Sequence, residues 1–305
     1  MLIIGSHVSF GKDQLLGAAK EAISYGSNTF MFYTGAPTNT IRKEIEKETT
    51  EEALNYIKEN NINIEDVICH APYIVNLANR ADESKYEFSI NFIRNELKRC
   101  DEMHVNKMVL HPGNAVGIEP SEGLLNIATA LNIILDGTTH CKILLETMAG
   151  KGSELGRTID EIAFLINHVT KKDQIGVCVD TCHIFDAGYD LNDFDAYLKE
   201  FDEKIGIDKI GCLHINDSKN ELGSHKDRHA NIGVGNIGFD NLLNVIYHEK
   251  LDNIPKILET PYIGDTDDSK DRLYPPYKYE IEMIRNKKYD SDFRDKIREE
   301  YGTTK

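Results

Sequence analysis

The chain has no run of eighteen apolar residues and no leader in which a charged stretch precedes an apolar one. A membrane span needs about 20 apolar residues and a secretory signal needs such a leader, so we expect a cytoplasmic protein with no membrane partner. The six cysteines are scattered, mostly within apolar runs, and none of them forms a CxxC pair. Reduced, buried thiols explain this distribution, and a cysteine-rich zinc site is disfavoured.

Positive charge is also scarce, because 35 Lys and Arg face 51 Asp and Glu, for a net charge of -16. Phosphate binding requires a basic surface, so this balance by itself argues against a nucleic-acid partner. Divalent metal ions would reverse the charge of a local site, however, and a small cationic face is compatible with an acidic protein. With 40% hydrophobic residues, the chain can bury one large core.

Short β-rich runs alternate with longer segments whose apolar residues recur at three- and four-residue spacing. Eight such units predict an α/β fold, a single-domain (β/α)8 TIM barrel over residues 1–285, although a doubly wound sheet would show similar alternation. The charged tail, residues 286–305, is expected to form a helix packed on the barrel. The eight runs interpreted as strands are 2–8, 29–33, 66–71, 107–112, 142–147, 176–180, 210–217 and 256–260.

Six consecutive predicted strands each close on a side chain that can bind a metal. The C-terminal ends of parallel barrel strands surround one mouth, where the catalytic residues of such enzymes lie. A ring of bare carboxylates and imidazoles is costly to bury unless it is paired or metallated, so we expect a metal site there. The six residues are His70, His111, Glu146, Asp180, His214 and Glu259.

Two further segments add ligands beside this ring. In GVCVDTCHIFDAGYD (176–190), His183 follows Asp180 by three residues, where the chain turns out of the barrel. In KDRHANIG, Asp227 and His229 are two residues apart and can face one ion. With His183 they make a set of two histidines and one aspartate, which suits Zn2+. These thiolate-free donors predict two or three zinc ions, three being our expectation, with Mn2+ as an alternative at one position.

Five segments match, in order, the motifs of a known family. They are HAPY (70–73), LHPG (110–113), LLETMAGKG (144–152), the segment 176–190 and HINDSKNELGSHKDRHANIGVGNIG (214–238). These motifs resemble those of the endonuclease IV family of apurinic/apyrimidinic (AP) endonucleases. The resemblance implies a (β/α)8 barrel with three zinc ions that cleaves the DNA backbone 5′ to abasic sites. The implied products are a 3′-hydroxyl and a 5′-deoxyribose phosphate, and cleaning of blocked 3′ ends is implied as well.

The resemblance also implies how the ligands are grouped and which carboxylates take part in catalysis. The first zinc would be held by His70, His111 and Glu146. The second would be held by Glu146, Asp180, His214 and Glu259, and the third by His183, Asp227 and His229. Glu146 and Glu259 are the candidate catalytic carboxylates, and the sequence leaves open which of them deprotonates the attacking water.

The implied partner is double-stranded DNA containing abasic sites. We expect a monomer with no obligatory protein partner, because one barrel with one mouth is self-sufficient. Tyr73 matches a family tyrosine that fills the gap beside an extruded abasic sugar. Arg228 lies between two predicted ligands and is the strongest candidate for a phosphate contact, with Lys219 nearby in the same segment. These positions predict a DNA-binding face around the mouth.

The loop after the second strand, TGAPTNTIRK (34–43), offers three candidates for contact with DNA. We name Asn39 as its DNA-binding residue, while Thr40 and Arg42 remain alternatives. The family loop often carries a basic or long polar wedge, and the present loop resembles the subset of the family with Gly35, Ala36 and Pro37.

Two other functions are consistent with parts of the sequence. A xylose-isomerase-like sugar isomerase or epimerase uses a similar barrel with Glu, Asp and His ligands. It would need fewer ions, which would leave His183 and the Asp227–His229 pair unexplained. A non-catalytic, metal-dependent DNA-binding module would have no need for six strand-end ligands around an open cavity. The sequence therefore favours the nuclease.

Overall fold

The computed structural model describes residues 1–137 and 139–302. In chain order its strands are β1 (Ile4–His7), β2 (Thr29–Phe32), β3 (Ile68–His70), β4 (Lys107–Leu110), β5 (Gly113–Asn114), β6 (Lys142–Glu146), β7 (Glu154–Leu155), β8 (Ile175–Asp180), β9 (Ile210–Ile215), β10 (Asp217–Ser218), β11 (His229–Ala230) and β12 (Lys256–Leu258). Eight of them, β1, β2, β3, β4, β6, β8, β9 and β12, close into a parallel barrel. Each predicted run overlaps one of these eight strands, so the predicted TIM barrel is confirmed.

Most of the helices connect successive barrel strands, and the last two follow the final strand, β12. The helices are α1 (Gln14–Ser24), α2 (Lys47–Glu59), α3 (Glu83–Glu102), α4 (Pro120–Leu135), α5 (Ile159–His168), α6 (Thr181–Ala187), α7 (Phe194–Lys204), α8 (Phe239–Ile246), α9 (Tyr277–Asn286) and α10 (Phe293–Gly302). Local sequence explains several starts: Pro120 opens α4, and the Thr158 side chain accepts a hydrogen bond from the Glu161 backbone N–H at the start of α5. Two short antiparallel pairs, β5 with β7 and β10 with β11, lie in the loops that follow barrel strands.

Apolar side chains fill the barrel interior, because inward-facing positions alternate with outward-facing ones along each strand. The first two strands approach very closely: a Cβ atom on Gly5 would lie 1.8 Å from the carbonyl oxygen of Thr29, so only glycine fits there. The interior residues, one from each of the seven barrel strands other than β1, are Met31, Ile68, Val109, Leu144, Cys178, Cys212 and Ile257.

The C-terminal segment packs against the body of the protein. Phe293 and Ile297 of α10 are fully buried and form a small apolar cluster with Met283 of α9 and Tyr274. The last three positions of the predicted tail, 303–305, lie outside the described residues. Within the part of the chain that the structure describes, no helix combines the length and apolarity that a membrane crossing requires.

Candidate metal centre and DNA-binding mouth

The ring of polar side chains at the mouth follows from the two-residue period of a strand. Side chains at every second position face the same side, so the residue two places after each interior residue also points into the barrel. Adding two to the seven interior positions gives Tyr33, His70, His111, Glu146, Asp180, His214 and Glu259. All six strand-end residues that the sequence predicts are in this set.

Glu146 stands at the centre of the ring, and its two carboxylate oxygens face different partners. Oε2 lies 3.1 Å from His70 Nε2 and 3.0 Å from His111 Nε2. Oε1 lies 3.1 Å from His214 Nδ1 and 3.3 Å from His183 Nδ1. The side chain is only 1% exposed. A buried carboxylate that serves separate groups of histidines has the geometry of a bridging ligand.

The electrostatics of the mouth shift the pKa values of Glu146 and His183 in opposite directions. Burial raises the pKa of Glu146, but His111 and His214 outweigh this effect and hold the pKa well below its usual value. Burial lowers the pKa of His183, whereas Asp180, Asp227 and Glu146 raise it, and the net result lies well above the usual value. Both shifts result from the close approach of carboxylates and imidazoles at the mouth.

Asp180 links the strand ring to the rest of the mouth. It ends β8 and caps α6, where its Oδ1 accepts a hydrogen bond of 2.8 Å from the His183 backbone N–H. Its Oδ2 accepts a hydrogen bond of 2.8 Å from Asn216 Nδ2. The same oxygen lies 3.8 Å from His214 Nδ1 and 3.8 Å from His229 Nε2. Asp180 therefore faces both the strand-borne and the loop-borne histidines.

His183, Asp227 and His229 come together although a helix, a loop and a short strand carry them. Asp227 Oδ1 lies 3.1 Å from His183 Nε2 and 3.6 Å from His229 Nε2. The antiparallel pairing of β10 with β11 brings His229 back over the mouth, where its Nδ1 lies 3.3 Å from the carbonyl oxygen of Glu259. The structure thus assembles the set of two histidines and one aspartate that the sequence predicts.

Backbone carbonyls orient two of the rings. His70 Nδ1 lies 2.7 Å from the carbonyl oxygen of Ala71, and His183 Nδ1 lies 2.9 Å from that of Thr147. Donation of the Nδ1 proton to a carbonyl leaves Nε2 free to bind a metal, which is the usual support of a metal-binding histidine. Several of the nine residues form compact groups that could hold an ion, among them His70 with His111 and Glu146.

Two thiols lie close to His214. All six cysteines are free and buried, and Cys178 of β8 pairs in register with Cys212 of β9. Their sulfur atoms and a His214 ring nitrogen lie within 4.8 Å of one another. The nine predicted ligands offer only nitrogen and oxygen atoms. The two thiols lie deeper in the barrel, two residues before Asp180 and His214 on the same strands.

Sequence reasoning missed two aromatic side chains at the mouth, Tyr33 of the ring and His7 beside it. His7 ends β1, and its ring packs edge-on against Tyr33 with centroids 5.1 Å apart. Tyr33 in turn lies 4.9 Å from the His70 ring. Burial is the main cause of a lowered pKa at His7 and of a pKa well above the usual value at Tyr33. Applying the two-residue period to the first two strands would have identified both.

The predicted DNA-binding residues lie around the mouth with different exposure. Tyr73, three residues beyond His70, is 49% exposed. Lys219 and Arg228 are exposed on the hairpin of β10 and β11, where the Lys219 backbone N–H donates to the carbonyl of Arg228. Burial, Arg272 and Arg228 all lower the pKa of Lys219, which indicates a concentration of positive charge on this side.

The largely buried side chain of Arg42 holds the strand-two loop (34–43) in place. Arg42 Nε lies 3.0 Å from Glu96 Oε1, and the Arg42 side chain is only 9% exposed. Its Nη1 donates to the carbonyls of Asn39 and Ile41, at 3.1 and 2.9 Å. The Asn39 side chain accepts a hydrogen bond from the Ile41 backbone N–H and is partly exposed. Arg42 therefore shapes the loop from within, whereas Asn39 and Thr40 are both partly exposed and remain candidates for DNA contact.

Comparison with known proteins identifies the family. A family model described as xylose isomerase-like TIM barrel matches residues 19–287. A probable endonuclease 4 from Bacillus licheniformis is 50% identical over 302 residues, which are 98% of this chain and 100% of that protein. A probable endonuclease 4 from Bacillus subtilis strain 168 is 51% identical over 299 residues, 97% of this chain and 99% of that protein.

Solved structures agree with this assignment. Endonuclease IV from Thermus thermophilus superposes with a TM-score of 0.75 at 27% identity, covering 93% of this chain and 97% of that one. A D-tagatose 3-epimerase-like protein superposes with a TM-score of 0.65 at 18% identity over 97% of this chain and 99% of that one, which shows a shared fold alone. The whole-length relatives, the barrel and the composition of its mouth agree, and the chain belongs to the endonuclease IV family.

Proposed function

We propose that the protein is a zinc-dependent AP endonuclease of DNA base excision repair, a hydrolase of the deoxyribonuclease IV type. It would cleave the phosphodiester bond 5′ to an abasic site and leave a 3′-hydroxyl and a 5′-deoxyribose phosphate. Cleaning of blocked 3′ ends is part of the proposal. The observation that carries it is the convergence of nine nitrogen and oxygen donors on one mouth, with Glu146 between two groups of histidines.

The donor set fits three divalent zinc ions. Four of the nine residues are carboxylates, so three ions would bring six positive charges against four negative ones and make the mouth net cationic. When bound, the ions would lower the pKa of water and neutralise charge on the reacting phosphate. The proposed groups are His70, His111 and Glu146; Glu146, Asp180, His214 and Glu259; and His183, Asp227 and His229.

Glu146 and Glu259 take different parts in this proposal. The Glu146 side chain is 1% exposed and contacts histidines through both oxygens, which supports a bridging and orienting role. Glu259 is 17% exposed, and its Oε2 lies 3.0 Å from His214 Nδ1. Its greater exposure supports Glu259 as the carboxylate that faces the attacking water and accepts its proton.

Duplex DNA with an abasic site is the proposed substrate. An abasic nucleotide has lost its stacking, so extrusion into the mouth costs little and gives selectivity without base readout. The half-exposed ring of Tyr73 is proposed to fill the resulting gap. Exposed Arg228 and Lys219 are proposed to contact backbone phosphates, and Asn39 to contact DNA from the strand-two loop. The six free thiols support a cytoplasmic location, at the nucleoid when the enzyme is on DNA.

The test is a cleavage assay on a labelled duplex that carries one central abasic site, in EDTA without added magnesium. A single cut immediately 5′ of the lesion, with an end that a polymerase extends, would support the nuclease and tightly held ions. The same duplex without the lesion is the control. A substrate that stays intact after zinc or manganese is restored, together with turnover of a sugar or sugar phosphate, would support an isomerase or epimerase instead.

A further inference from the structure

Asp186 is a buried carboxylate that belongs to none of the three proposed ligand groups. It lies in the last turn of α6, three residues after His183, and it is fully buried. We propose that Asp186 is a positioning residue for the third ion, acting through the backbone of Asp227. This inference rests on the proposed three-ion centre and adds to it a residue that touches neither ion nor substrate.

The Asp186 carboxylate holds three groups of the segment that covers it. Oδ1 accepts a hydrogen bond of 2.6 Å from Ser218 Oγ. Oδ2 accepts one of 3.0 Å from Asn220 Nδ2 and one of 2.9 Å from the Asp227 backbone N–H. These bonds satisfy a charge that would otherwise be costly to bury. One side chain thereby ties both ends of the loop between β10 and β11 to the same helix.

The main chain of Asp186 adds a second anchor to the same loop. Its carbonyl oxygen accepts a hydrogen bond of 3.0 Å from the His225 backbone N–H. The preceding residue, Phe185, accepts one of 3.1 Å from the Gly223 backbone N–H. Successive hydrogen bonds thus hold the segment 223–227 against the C-terminal end of α6.

Asp227 needs such an anchor because its backbone is in a disfavoured conformation. Its φ is +51°, and His225, two residues earlier, has a φ of +53°. Residues other than glycine enter this left-handed region at an energetic cost, so the surrounding structure must impose it. The hydrogen bond from the Asp227 N–H to Asp186 Oδ2 fixes the turn that aims the Asp227 carboxylate at His183.

The short helix α6 therefore sets two of the three ligands of the proposed third ion. It carries His183 directly, and it holds Asp227 through Asp186, which lies on the same helix face because residues three apart are neighbours. His183 Nε2 and Asp227 Oδ1 are brought to 3.1 Å by this arrangement. Without Asp186, the loop could move and separate Asp227 from His183. The proposed ligands on the barrel strands would keep their places.

The test measures zinc content and affinity in the full-length protein. Asp186→Ala is expected to lower the affinity for one of three zinc ions about 10- to 100-fold, in the range found for outer partners of metal ligands, and to leave the other two unchanged. Competition with a chelator gives the affinities, and elemental analysis gives the ions per chain. Asp193→Ala is the matched control, because Asp193 caps α7 through the Ala196 N–H and should keep all three ions.

Asp186→Asn separates positioning from general loss of structure. The Asn side-chain oxygen can still accept from the Asp227 N–H and from Asn220, and its amide can donate to the Ser218 hydroxyl. We therefore expect Asp186→Asn to retain the third ion, and its loss in this variant would overturn the proposal even if Asp186→Ala failed to fold. Three ions of unchanged affinity in Asp186→Ala would overturn the role of Asp186 alone. Fewer than three ions in the wild-type protein would overturn the three-ion centre itself.

Discussion

The mouth is built from two regions, one on barrel strands and one on connecting segments, and they are held by different forces. The strand region contains His70, His111, Glu146, Asp180, His214 and Glu259. Its geometry is set by strand register, as in the pairing of Asp180 with His214 between β8 and β9. The connecting region contains His183, Asp227 and His229, whose relative positions depend on buried carboxylates and backbone turns.

Asp217 shows how the connecting region is held. Its carboxylate accepts hydrogen bonds from the backbone N–H groups of Ser218, Gly233, Gly235 and Ile237, at 2.8 to 3.1 Å. The loop that follows His229 is thereby folded around the fully buried carboxylate of Asp217. The strand region is held by the repeated hydrogen bonding of paired strands, whereas each loop of the connecting region depends on a particular buried carboxylate. This difference predicts that a substitution can damage one region and leave the other intact.

The largest effect is expected from Glu146→Gln, which damages the strand region. The amide cannot accept from histidines on both sides, so both proposed groups that share Glu146 would be disrupted. We expect cleavage of abasic DNA to fall by more than about 10³-fold, the upper end for loss of a single transition-state-stabilising group. Single-turnover cleavage measures the change, and circular dichroism is the control for folding. Near wild-type cleavage would contradict a bridging role for Glu146.

His183→Ala should damage only the connecting region. We expect the variant to fold, to lose one zinc ion and to lose most cleavage, on the order of 10²- to 10³-fold. Elemental analysis and the abasic-duplex assay check this result on the same preparation. Full activity with two bound zinc ions would show that the third group is not needed.

A pH effect on stability should come from Glu280 of α9, which holds the segment that follows His229. This carboxylate accepts hydrogen bonds from the Ile232 N–H, Asn231 and Thr260, and burial is the main cause that raises its pKa from 4.5 to about 7. Because the folded protein holds the proton more tightly than the unfolded chain, this contribution is complete below pH 4.5 and is lost as the pH rises to about 7. The expected loss is on the order of 3 kcal/mol of unfolding free energy.

Urea unfolding of the wild type and of Glu280→Gln at about pH 5 and about pH 8 isolates this effect. The glutamine variant should be less sensitive to pH, since its amide can donate to Thr260 and does not titrate in this range. Equal pH dependence in the two proteins would assign the effect to other groups.

The smallest expected effect is on the salt dependence of DNA affinity, and it distinguishes two arginines beside the mouth. Exposed Arg228 is proposed to contact phosphate, so Arg228→Ala should weaken DNA binding and lower the salt slope of affinity by about 1. Arg42 is paired with Glu96 inside the strand-two loop, so Arg42→Lys should leave the salt slope unchanged. Fluorescence anisotropy over a salt series measures both, and a reduced slope for Arg42→Lys would show that Arg42 reaches the DNA.

The two regions also differ in what the sequence reveals. The positions of the proposed strand ligands could be predicted because each closes an apolar run, and the two-residue period that identifies them also leads to His7 and Tyr33. The pairing of His183 with Asp227 and His229 came from their residue types and spacing. Nothing local in the sequence marks Asp186, Asp217 or Glu280, because the backbone and side-chain groups that bond to them come near only in the folded protein. Arg42 was likewise ambiguous, since Glu96 lies 54 residues away.

The most direct test of the three-ion mouth is anomalous diffraction at the zinc edge from crystals of the purified protein. The account predicts three peaks. One lies on each side of the Glu146 carboxylate, and the third lies between His183, Asp227 and His229. A single peak, or two peaks confined to the strand region, would contradict it.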